Sequence, residues 1–114
     1  MTLPPADRTA RWLDDLDSAL EAAATLAARG ETAFQSDAAL PLAFEALSNR
    51  VGDLCKRLVA ADPVRFTEPI WSQAAGNRDF VVHHYDRLDS AALWVTVTRS
   101  FPELREAVQT QRRT

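Results

Sequence analysis

The chain has 114 residues and a mass of 12.6 kDa, is 46% hydrophobic and 25% charged, and so has the size of one ordinary domain, with apolar material for one core. Three glycines, six prolines and a net charge of −3 exclude a collagenous, low-complexity or charge-driven disordered chain. No stretch approaches the roughly eighteen uninterrupted apolar residues of a membrane helix.

The single cysteine, Cys55, has no partner for an intrachain disulfide, and Met1 is followed by Thr-Leu-Pro-Pro rather than by a basic and then apolar leader, so a reducing cytoplasm is the expected location. Acids outnumber bases in the first half, and the second half is balanced. That pattern lacks the basic stripe of a protein that grips nucleic acid by counterion release, so any RNA contact is expected to be local. All but one of the bases are arginine, which suits bidentate pairing with carboxylate or phosphate but also accompanies the twenty alanines as a composition bias.

In chain order, Trp12, Leu13, Leu16, Ala19, Leu20, Ala23, Leu26 and Ala27 recur at helical steps, with Asp14, Asp15, Asp17 and Glu21 mostly opposite, predicting an amphipathic helix over about 8–29. Gly30 stands where a helix end wants a left-handed residue, and 31–37 carries no period. Leu40, Phe44, Leu47, Val51, Leu54 and Leu58 alternate steps of four and three, which predicts a second long helix over about 38–61, stopped at Asp62-Pro63 because the residue before proline leaves the helical region. Thr67-Glu68-Pro69 reads as a cap and early-turn proline opening a short helix through Ile70, Trp71 and Ala74, with Gly76 as punctuation.

Residues 77–85 carry Phe80, Val81 and Val82, which would suit a strand, but no partner strand is evident, and the segment is read as helix. A turn over 86–89 precedes a last helix, capped by Asp89 or Ser90, that bears Leu93, Trp94, Val97, Phe101, Leu104 and Val108. Pro102 either kinks that helix or starts another after Ser100, and 111–114 reads as a frayed tail. The sum is an all-α bundle of four or five helices with no internal repeat.

Metal-site motifs, glycine-rich phosphate loops and the Gly-x-Ser-x-Gly elbow are absent. Cys55 lies in the apolar stripe of the second helix and reads as a structural thiol, while Trp71, Trp94 and Phe101 are assigned to packing. The one chemical cluster is 76–85, which packs both histidines, the only tyrosine, Arg78 and Asp79 into ten positions. An arginine offers a permanent cation for phosphate, and a histidine a group that exchanges protons near pH 7. On a helix Asp79 and His83 are four apart on one face, so the carboxylate can orient the ring. Arg78 and His83 diverge by about 140°, which leaves room for a second copy of the chain to complete a site.

The run Ile70-Trp71-Ser72-Gln73-Ala74-Ala75-Gly76-Asn77-Arg78-Asp79-Phe80-Val81-Val82-His83-His84-Tyr85, followed by Leu88-Asp89, Leu93-Trp94-Val97 and Phe101-Pro102-Glu103-Leu104, resembles the HepT-like proteins of the HEPN superfamily, the toxin halves of HepT/MntA toxin–antitoxin pairs. Upstream, Phe44-Glu45-Ala46-Leu47 and Val51-Gly52-Asp53-Leu54 resemble that family's second helix. The likeness covers about 38–108 in order and reaches the first helix by pattern alone.

The resemblance implies an antiparallel HEPN-like bundle that acts as a homodimeric, metal-independent endoribonuclease with no cofactor. Arg78 would bind and polarise the scissile phosphate, His83 would serve in proton transfer, and Asp79 would orient them. Tyr85 would receive AMP from an MntA-like nucleotidyltransferase antitoxin. A rival reading, which the acidic first half favours, is a non-catalytic helical module that binds a nucleotidyltransferase and its substrate; the complete motif favours the nuclease.

Overall fold

The computed structural model describes the backbone of residues 5–83 and 90–113 and the side chains within 7–76 and 90–113. All regular structure among the described residues is helical: α1 (Pro5–Ala27), α2 (Glu31–Ser36), α3 (Ala39–Ala61), α4 (Pro69–His83), α5 (Ser90–Val95), a π-helical turn (Thr96–Ser100) and α6 (Phe101–Arg112). Helix α3 lies at the centre, packed along α4 on one side and α1 on another, and α1 also packs along α6. The expected turn over 86–89 and the capping role of Asp89 lie outside the described residues.

The stripes read from the sequence are the ones buried. On α1, Leu13, Leu16, Ala19, Leu20 and Ala23 face inward, and on α3 Leu40, Phe44, Val51, Leu54, Cys55 and Leu58 do so. They meet Phe66, Trp71, Leu93, Val97, Phe101, Leu104 and Val108 in one core. Phe66 sits edge-on to Trp71 at 4.9 Å, and Trp94, half-buried, stacks on Phe34 at 5.1 Å. The three aromatics assigned to packing are thus packed.

Five local expectations are corrected. Residues 31–36 form a helix, although they show no period, because a turn and a half needs only one anchor, and Phe34 supplies it at 5% exposure. Gly30 before it has φ 94° and ψ 164°, a region essentially reserved for glycine, so this residue type is required there, although the conformation is not the left-handed helical one. Gly76 does not punctuate: α4 runs through it to His83 as one helix, joining the short helix at 69–74 to the stretch beyond.

The choice posed by Pro102 resolves as neither a plain kink nor a fresh start. Phe101 N–H bonds to Thr96 O, five residues back, and the wider π turn precedes a helix that carries the proline in its first turn, where no N–H is needed.

The expected frayed tail is held. Gln111 accepts from Arg65 Nε at 2.7 Å through its side chain and from the Arg65 guanidinium at 2.9 Å through its carbonyl, and Arg112 pairs with Asp14 and Asp17, both at 3.0 Å. Thr114 lies outside the described residues.

Candidate active site

Helix α4 carries the cluster as far as His83. Pro69 opens it, with its missing N–H at a position where no helical partner exists, and Trp71, 1% exposed, anchors it to the core. Ile70, Ala74 and Ala75 are partly buried beside Trp71, whereas Ser72, Gln73 and Gly76 are exposed, which fixes the inner and outer sides of the helix.

The register extends to the motif. Arg78 falls seven residues after Trp71, about 20° short of two turns of the helix. Asp79 falls seven after Ser72, and His83 four after Asp79. Arg78 and His83 are therefore about 140° apart around one helix and about 7.5 Å apart along it. The Asp79–His83 spacing is the adjacent i, i+4 pair. The side chains of Arg78, Asp79 and His83, and residues His84 and Tyr85 altogether, lie outside the described residues.

Cys55 on α3 is fully buried, and desolvation pushes its thiol up to about 12, so it stays protonated and unreactive near neutrality. Among the described residues no group of three or more His, Cys, Asp or Glu is arranged to hold a metal ion, and no helix is long and apolar enough to cross a membrane.

Sequence reasoning missed a cavity of about 250 Å³ between α3, α4, the π turn and α6. Its floor includes Ser48, 2% exposed, whose hydroxyl has no hydrogen-bond partner among the described residues. Ser48 lies beside the apolar stripe, which Leu47 carries unbroken from Phe44 to Val51, so the sequence held no signal of the cavity.

The Ribonuclease HepT-like family matches residues 16–110. A protein of Caldanaerobacter subterraneus subsp. tengcongensis described as "Putative RNase TTE0752" is 28% identical over 76 residues, which cover 67% of this chain and 68% of that protein. No solved structure matches the chain significantly.

Proposed function

The chain belongs to the HepT-like ribonuclease family, and from that membership we infer that it is a metal-independent endoribonuclease toxin that works as a homodimer and is silenced by AMP placed on Tyr85 by an MntA-like nucleotidyltransferase antitoxin. The observation that supports this most is that Arg78, Asp79 and His83 fall within both the family match and one uninterrupted helix.

In this reading the ribose 2′-hydroxyl attacks the adjacent phosphorus. A bond forms from the 2′-oxygen to phosphorus, and the bond to the 5′-oxygen of the next nucleotide breaks. His83 exchanges the proton that leaves the 2′-hydroxyl for the one required by the departing 5′-oxygen, while Arg78 neutralises the charge that builds on the phosphoryl oxygens. Asp79, one turn before His83, orients the ring. The products are a 2′,3′-cyclic phosphate and a 5′-hydroxyl.

The roughly 140° between Arg78 and His83 on one helix supports a cleft shared by two subunits, in which each supplies the group that the other's helix turns away. The purified chain should cleave total RNA with chelator present and leave cyclic phosphate ends. Activity lost on chelation, or binding to a nucleotidyltransferase with no cleavage at all, would overturn the reading.

A further inference from the structure

Five helical hydroxyls, those of Thr25, Ser36, Thr96, Thr98 and Thr110, donate to the carbonyl four residues back. Ser48 is more deeply buried than any of them and makes no such bond. A buried hydroxyl left unpaired is costly, and such a group in a native fold calls for an explanation. Ser48 lines the 250 Å³ cavity together with Gln73 of α4, Thr96 and Ser100 of the π turn, Glu103 of α6 and, on an apolar side, Ile70. Gln73, Ser100 and Glu103 are exposed, so the cavity opens to solvent above the Ser48 floor.

We propose that this cavity receives one RNA base bearing an exocyclic amino group, adenine or cytosine, beside the scissile phosphate; the proposal rests on the ribonuclease reading and deepens it. Three features point to a base. The described lining holds no cation and includes the Glu103 carboxylate, which repels a phosphate but accepts from an amino group. The volume lies below the roughly 300–1,000 Å³ of pockets for drug-sized ligands, and so suits a single ring system. The Gln73 amide and Ser48 hydroxyl can each donate and accept, as base edges require. The site is also near the motif: Ala74, which lines the cavity, is one helical turn before Arg78.

The test is an amide-resolved NMR titration of the whole protein with adenosine, cytidine and uridine as probes. Adenosine or cytidine should shift the Ser48, Gln73 and Thr96 amides saturably, and roughly tenfold more tightly than uridine. Ser48→Ala should weaken that binding by roughly fivefold while unfolding at the same or a higher temperature, since it removes an unmade hydrogen bond. No saturable shift at these amides, or equal binding by Ser48→Ala, overturns the proposal.

Cut-site mapping on random-sequence RNA supplies the second readout. Gln73→Ala should redistribute the cut sites, and an unchanged base preference counts against the pocket. If the wild type does not cleave, the nuclease reading falls while the titration still decides the cavity. If it cleaves and no nucleoside enters, the cavity proposal falls alone.

Discussion

Asp17 of α1 and Arg112 of α6, ninety-five positions apart in sequence, are joined by a 3.0 Å charge-assisted hydrogen bond. The same carboxylate, 15% exposed, accepts from Gln109 Nε2 at 2.7 Å and Arg105 Nε at 3.3 Å, so one acid on the first helix ties down the last. Replacing it leaves three donors short of an acceptor in a partly screened setting. Asp17→Ala should therefore cost about 2 kcal/mol and lower the melting temperature by roughly 6–12 °C, measured by thermal unfolding. A shift of a degree or less would mean that packing alone holds α6 against α1.

Gly76 offers the opposite change. It lies in the interior of α4, is exposed, and a Cβ built there meets nothing within 4 Å. Gly76→Ala should stabilise the protein by about 0.5–1 kcal/mol through the smaller backbone entropy lost on folding. Denaturant melts should give a higher midpoint with an unchanged slope; a lower midpoint would mean that the helix needs to bend there.

These two positions also mark what the sequence made legible. The long helices α1 and α3 were readable because more than twenty residues of amphipathic pattern overwhelm local ambiguity, and α3 ends at Asp62 for the reason that Asp62-Pro63 announces. Helix α2 was not readable, since six residues with Phe34 as the single buried anchor carry no period. Gly76 misled because its helix-breaking tendency amounts to only about 1 kcal/mol, which the burial of Trp71 outweighs. The tail misled because its partners, Asp14, Asp17 and Arg65, lie far away in sequence. At the site, the residue types and their helical spacing could be read along the chain, whereas the cavity over Ser48 arises from three separated segments.

The motif itself is tested by Arg78→Ala and His83→Ala, each expected to abolish RNA cleavage with helical content unchanged by circular dichroism. The angular divergence of the two positions adds a sharper experiment. When the two inactive variants are mixed and allowed to exchange subunits, half of the dimers pair one of each, and each such dimer holds one intact Arg–His combination across the cleft. About a quarter of wild-type activity should return. No recovery despite exchange verified by mass spectrometry would place both groups in the same subunit, and a monomer by sedimentation at micromolar concentration would remove the shared cleft altogether.

Tyr85 is the expected point of control, two residues beyond His83 and the only tyrosine in the chain. A tyrosine that merely packs against the bundle would also sit near its helix, so the assignment depends on the hydroxyl carrying the group. AMP esterified there adds about one negative charge and considerable bulk close to the motif, where it competes with the RNA phosphate for Arg78 by like-charge repulsion and by occupying space. Tyr85→Phe removes the acceptor oxygen and little else. The variant should cleave RNA yet remain active after incubation with the nucleotidyltransferase and ATP, conditions under which the wild type falls silent. Intact-mass measurement should then find adenylyl additions on the wild type and none on the variant; equal additions on both would move the modification to another residue and leave Tyr85 a packing residue.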